Sequence, residues 1–465
     1  MRCLNLLLLA LSGVLHPAAA MATWVMDPAP GISDITAFKC FFPAFLLAIM
    51  VCFLMWIRPG LHSFPEVFSN GLAWLKKIMG RVPEKDDVPF ELSEFIVRSR
   101  NTMKNLPPGY QRLYQSQSQG EASVFVNREK ELALMGRAYE NWNRGCFITC
   151  AVIGEKGSGV TSLLNRFLLD LEPGIQTTRY TLNEKVYTQE KYFMLFNRLF
   201  QTDDIQSNES LIQSLNEAQG KRIIVLENLQ HMFLKRVSGF DCMKMLFEIM
   251  VHTASKVFWV GAWTPHSWEY LDKTIAISSF FTNAVRLEQM LDDSVRKIIT
   301  ECGHLAGYRH CFAAPAEKAE KRSFRKQEAH GKSSGMEDAF FTGLNRLANG
   351  NISLAQFYWL CAVIGVDVQS VPKSVEVGAI GRLDFSFIRS LSGDALFALQ
   401  TLLLHDGLTL EDFALAMNEP ESVSRNLLMP MLEKGLLIRP RQKFNINPMI
   451  YQYVTAYLTS RNFIH

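Results

Sequence analysis

The sequence has no Cys-x-x-Cys pair. Its nine cysteines are scattered over 465 residues, and the closest two, Cys146 and Cys150, stand four apart. That spacing suits buried helix or strand positions better than a metal site. No disulfide framework is legible, so the bulk of the chain reads as reduced and cytosolic. Excess charge is equally scarce. A net charge of +3 is too small to imply a nucleic-acid partner by itself. What is abundant is apolar matter: 48% hydrophobic residues against 20% charged describe a globular protein with a membrane contribution. The length suits two or three domains.

One cluster of ligand-type residues, Cys302, His304, His310 and Cys311 in "ECGHLAGYRHC", matches the paired spacing of zinc sites poorly. It continues the amphipathic pattern of "DDSVRKIITECGHLAG" and reads as a helix end, with Gly303 and Gly307 at its close.

The first residues have the layout of a secretory signal peptide. Arg2 opens a run that is apolar from Leu4 to Leu15, and small residues follow at Ala18, Ala19, Ala20 and Ala22. Residues 1–22 are therefore expected to be a signal peptide or, uncleaved, a first membrane helix. Residues 35–57 form a second apolar run, expected to span the membrane. Asp27 and Asp34 precede it; Arg58, Lys76, Lys77, Arg81 and Lys85 follow it. The positive-inside rule then puts everything beyond Arg58 in the cytoplasm of a bacterial inner membrane. Residues 58–120, polar and ending in "QSQSQG", read as stalk and linker.

From residue 121 the pattern changes. "CFITCAVIG" is a strand-length apolar run ending in glycine, and "TSLLNRFLLDL" is helical. Between them lies Gly154, Glu155, Lys156, Gly157, Ser158, Gly159, Val160, Thr161 and Ser162. Strand, glycine loop and helix together make an anion site, because loop amides and the helix N-terminus point the same way. The phosphate-loop pattern G-x-x-x-x-G-K-[ST] is met at Gly154, Gly159 and Thr161, but Val160 stands where the lysine belongs. Further on, Ile223 to Leu226 end in Glu227 and Asn228, as a buried parallel strand does. Glu227 then stands where a Mg2+ ligand is expected, beside Thr161. "VFWVGAWT" is another such strand, and Thr264 at its end is a candidate sensor of a terminal phosphate. Alternating strands and helices predict a parallel, doubly wound α/β sheet over residues 121–312. Residues 313–338, charged and poor in apolar groups, are expected to be a disordered insertion. A helical segment with a Gly-Asn break follows over 339–380, and three helices, a short hairpin and a last helix fill 381–465.

These pieces, in this order over residues 123 to 465, resemble the P-loop ATPases of the AAA+ and STAND type, in particular those with a C-terminal winged helix. The likeness lies in "NREKEL", "GEKGSGVTS", "IIVLEN", "VFWVGAWT" and "ANGNISLA". It implies a P-loop NTPase sheet, a helical lid, a winged helix, and ATP with Mg2+ as cofactors. It assigns Asn228 to the usual catalytic-base position, and Asn351 and Ser353 to the lid. The departures matter as much. Val160 cannot reach a phosphate, Asn228 cannot accept a proton, and Ser353 stands where the family offers an arginine. A lost charge-assisted bond of about 1.5–3 kcal/mol weakens binding roughly ten- to hundredfold. Hydrolysis suffers more, since phosphoryl transfer depends on charge placed around the γ-phosphate. Lys156, earlier in the loop, is a candidate substitute because a phosphate needs only a point charge.

The sequence therefore points to a membrane-anchored nucleotide-binding regulator or scaffold with weak or absent hydrolysis, acting on a protein partner at the inner membrane or on further copies of itself. Two alternatives stay open. One is an active oligomeric ATPase that borrows charges such as Arg286, Arg296 or Arg309 from neighbouring subunits. The other is a membrane-tethered DNA-binding regulator. The expected recognition helix, with Arg425 and Lys434 set against Glu421 and Glu433, favours docking over nucleic acid.

Overall fold

The computed structural model describes residues 99, 101–115, 127–171, 174–312, 332–380 and 385–464. All described residues belong to one compact unit, Lys85–His465. The expected signal peptide, the span over 35–57 and residues 116–120 of the linker lie outside the described residues. Among the described residues no helix is long and apolar enough to cross a membrane.

The centre is a five-stranded sheet of β1 (Cys150–Ile153), β2 (Gln176–Thr181), β3 (Arg222–Glu227), β4 (Val257–Trp263) and β5 (Asn283–Arg286), in the order β2-β3-β4-β1-β5. Every neighbouring pair is parallel. The α/β class read from the sequence is thus present. Strands β1, β3 and β4 are nearly unbroken apolar runs because both faces of the sheet are covered. Successive side chains alternate between two cores. Ala151, Ile153, Ile224, Leu226 and Trp259 pack on one face with α4 (Gln189–Phe200), α5 (Asn208–Glu217), α6 (Asp241–Thr253) and α7 (Pro265–Ile275). Cys150, Val152, Ile223, Val225 and Phe258 pack on the other with α2 (Glu129–Asn143) and α3 (Val160–Leu169).

A second layer corrects the sequence reading in three places. Residues 339–380 were expected to be helical. After α9 (Lys332–Ala348) and α10 (Ile352–Ala362), however, the chain turns into β7 (Val363–Asp367) and β8 (Lys373–Val377). These join β6 (Tyr308–Phe312), which follows α8 (Asp292–Leu305), in a sheet ordered β6-β8-β7. Val363, Ile364 and Val366 are β-branched, and Asp367 Oδ1 accepts from the amides of Gln369 and Ser370, closing the turn between β7 and β8. Second, part of the expected stalk is core. Helix α1 (Pro108–Gln115) buries Tyr110 and Tyr114, with Leu106 just before it, against α8 and α10. The spacing of 106, 110 and 114 is one helical face, obscured by polar neighbours. Third, residues 332–338, expected within the insertion, belong to α9; residues 313–331 lie outside the described residues.

The C-terminal block has its own core. Helices α11 (Gly393–His405), α12 (Leu410–Met417) and α13 (Glu421–Glu433) precede an antiparallel pair, β9 (Leu437–Ile438) with β10 (Asn445–Ile446). A bridge from Leu408 to Phe444 extends this pair, and α14 (Pro448–Ser460) closes the block.

Candidate functional site

The loop Gly154–Ser162 leaves β1 at the C-terminal edge of the sheet, where β4 and β5 flank it. Ligands of open parallel sheets collect at this edge. Gly157 and Gly159 take φ of +85° and +101°, a region open to glycine without steric penalty. Gly154 is needed for closeness instead: a Cβ there would meet Ser158 Oγ and Val160 Cγ2 at 2.7 Å. Gly159 is the N-cap of α3, so the amides of the first turn have no intrahelical acceptor. They and the helix dipole give the loop the geometry of an anion site. Buried Arg128 supports it from below, donating Nη2 to the Ser158 carbonyl at 3.2 Å and pairing with Glu131 at 2.6 Å.

Thr161 and Glu227, the expected metal ligands, do meet. Thr161 Oγ1 donates to Glu227 Oε2 at 3.0 Å. The other oxygen, Oε1, accepts from Arg179 Nε at 2.8 Å and from Thr181 Oγ1 at 3.0 Å. Parallel register sets Thr181 beside Glu227 and Arg179 beside Val225, which carries both β2 side chains to the carboxylate. Arg179 Nη1 also donates to Asn165 on α3. A divalent cation here would take the Thr161 hydroxyl oxygen and the Glu227 carboxylate. Both carboxylate oxygens already accept hydrogen bonds, and a guanidinium balances the charge. The residues present do not fit a Mg2+ ion.

The other expected residues are engaged elsewhere. Asn228 sits in the left-handed region at φ 60°, and its Nδ2 donates to the Leu182 carbonyl at 3.2 Å. Thr264 caps α7; its hydroxyl lies 2.5 Å from Ser267 Oγ, which donates to the Leu404 carbonyl of α11 at 2.7 Å. Val160 is half-buried against the core of α2 and α3, giving an apolar contact where a lysine would give charge.

Helix α10 and the C-terminal block both seat on the loop. Asn351 caps α10 and donates Nδ2 to the Lys156 carbonyl at 2.8 Å. The Ser353 amide donates to the Gly157 carbonyl at 3.2 Å. Gln452 of α14 donates to Glu155 Oε2 at 2.7 Å, and burial pushes the Glu155 carboxyl above its ordinary range. Lys156 Nζ lies 3.5 Å from Asp406 Oδ1 with its side chain 72% exposed; it faces the C-terminal block.

Sequence reasoning missed Arg179, Arg128, Asp406 and Gln452. Arg179 is one arginine in a polar edge strand, and only strand register reveals its partner. Asp406 and Gln452 lie some 250 and 297 positions from their loop partners, beyond any local pattern. Of the arginines considered for lending charge, Arg286 pairs with Glu269 at 2.8 Å and Arg296 with Asp338 at 2.5 Å. Lys443 of the hairpin donates to the Asn183 carbonyl on the core, and Arg439 lies over the Phe444 ring at 4.7 Å. His304 and His310 stack at 5.8 Å, but among the described residues no group of three His, Cys, Asp or Glu gathers to hold a metal.

No known protein family matches the sequence, and neither does any curated protein. Among solved structures the chain is similar to the RuvB Holliday junction branch migration motor of Thermotoga maritima, at 12% identity over 72% of this chain and 97% of that one, with a TM-score of 0.32. It is similar to a Walker-type ATPase of Pyrococcus abyssi, at 12% identity over 72% and 98%, TM-score 0.31. It is also similar to Drosophila ORC bound to DNA, at 13% identity over 83% and 99%, TM-score 0.33.

Proposed function

We propose that this chain is a degenerate AAA+/STAND-like nucleotide-binding protein, anchored in a bacterial inner membrane, that serves a partner as regulator or scaffold with weak or absent hydrolysis. The observation that carries this reading is the loop itself. Its glycines keep the open backbone of an anion site, and Thr161 lies 3.0 Å from the carboxylate that ends β3. The charges that turnover needs are missing around that frame. Val160 replaces the lysine, and Asn228 is held by a backbone carbonyl. Positioned charge is most of phosphoryl-transfer catalysis, so binding survives its loss better than turnover does.

Contact of the lid and the C-terminal block with the same loop supports a switch or scaffold role. A phosphate arriving at the loop changes the seat of Asn351, Ser353 and Gln452 at once. We read the C-terminal block as a winged helix that docks on the core, because Lys443 is turned inward. Membrane anchoring rests on the apolar run over 35–57 and the basic residues after it.

Calorimetric titration of the full-length protein with ATP and with ADP tests the reading, followed by phosphate release at saturation. Saturable binding with negligible release supports it. Absence of binding up to millimolar nucleotide removes it, and brisk release establishes an active ATPase in its place.

A further inference from the structure

The cluster below the loop is electrically complete before any ligand arrives. Glu227 is buried, with 7% of its side chain exposed, and Arg179 beside it keeps 26%. One carboxylate oxygen takes Thr161; the other takes Arg179 and Thr181. Arg179 is fixed from two sides, since Nη1 also holds Asn165 of α3. A guanidinium carries five N–H donors and cannot lose its charge. Nε and Nη1 are occupied, while Nη2 makes no hydrogen bond among the described residues. The chain thus puts a fixed cation, with donors to spare, against the hydroxyl and carboxylate that would otherwise hold a metal. A divalent ion entering here would face a like charge and a carboxylate already taken.

We propose that Arg179 stands in for the divalent cation, so that the loop takes a nucleoside polyphosphate as the metal-free anion. This rests on the nucleotide reading above and specifies the form of its ligand. It also accounts for the survival of Glu227 in a chain that has lost the other charges: its task is to hold Arg179. Guanidinium suits that task because its planar fork can bind a carboxylate and a phosphate at once.

The test is calorimetric titration of the full-length protein with ATP in excess EDTA and, separately, with excess Mg2+. Binding is expected to be tighter in EDTA than in excess Mg2+, because Mg2+ draws ATP out of the metal-free form that the loop takes. Arg179→Ala should weaken binding in EDTA by about ten- to hundredfold, the loss of one charge-assisted bond, and make the remaining binding Mg2+-dependent. Arg179→Ala alone leaves Glu227 buried without its cation. The double variant Arg179→Gln/Glu227→Gln, which removes both charges together, is therefore measured beside it, and should show the same loss in EDTA without any rescue by Mg2+. Wild-type binding as tight or tighter in excess Mg2+, or unchanged EDTA affinity in the double variant, overturns the assignment of Arg179 while leaving the nucleotide site standing. No ATP binding in either buffer overturns both.

Discussion

Arg179 and Glu227 are joined at 2.8 Å across neighbouring parallel strands, directly beneath the glycine loop. Their joining leaves a neutral, hydrogen-bonded cluster with Thr161 and Thr181.

That pairing has a stability consequence. Removing Glu227 leaves a guanidinium partly buried and uncompensated, which typically costs about 3–5 kcal/mol when a buried pair is broken. Glu227→Ala should lower the midpoint of urea unfolding accordingly, while Arg179→Gln/Glu227→Gln should cost much less. Equal losses in the two variants would show that the pair does not act as a unit.

Restoring the missing lysine is the direct test of the loop. Val160→Lys should raise ATP affinity by about ten- to hundredfold, one charge-assisted bond. Phosphate release should stay near background, because Asn228 still cannot accept a proton from water. Fast turnover in this single variant would mean that Val160 alone suppresses hydrolysis.

Gly157 reports on the seat of α10. A Cβ there would stand 2.7 Å from Ser353 Cβ and 2.8 Å from Asn351 Oδ1, at a φ of +85°. Gly157→Ala should destabilise by about 1–3 kcal/mol through overpacking and backbone strain, and amide exchange at the start of α10 should quicken. Gly136, inside α2 with nothing within 4 Å of its would-be Cβ, is the contrast: Gly136→Ala should stabilise by about 0.5–1 kcal/mol. If Gly157→Ala behaves like Gly136→Ala, α10 does not rest on the loop in solution.

His310 sets an acid limit. Both its ring nitrogens are buried without hydrogen-bond partners among the described residues, and the ring meets Trp359 edge-on at 4.8 Å. Burial, with the neighbouring His304 adding to it, pushes its pKa down to about 4. A group whose folded pKa is depressed contributes stability that is present above its unfolded value and lost as pH falls toward the folded one. Unfolding free energy should therefore decline between about pH 6.5 and pH 4, by up to about 3 kcal/mol from this residue. His231 and His405, also depressed by burial, add to the same decline. His310→Phe should flatten that limb in denaturation measured across pH; an unchanged slope would exclude His310 as its source.

Much of this was legible in the residues. Unbroken apolar runs announced β1, β3 and β4, since strands covered on both faces need no alternation. The loop announced itself through glycines at fixed offsets from Thr161, and Ile223–Leu226 announced a carboxylate at a strand end. Local pattern misled where it was mixed. The face formed by Leu106, Tyr110 and Tyr114 was lost among polar neighbours, and β7 and β8 followed a helix without a break.

The sequence by itself determined the kind of sheet and the place of the glycine loop, with Val160 in it, at the end of β1. These follow from periodicity and from residues close together in the chain. Tertiary structure alone decided that Arg179 neutralises Glu227 and that Asn351, Ser353, Asp406 and Gln452 close over the loop. The reason is physical. Strand register and the packing of separate layers set those contacts, and neither leaves a periodic trace in the chain.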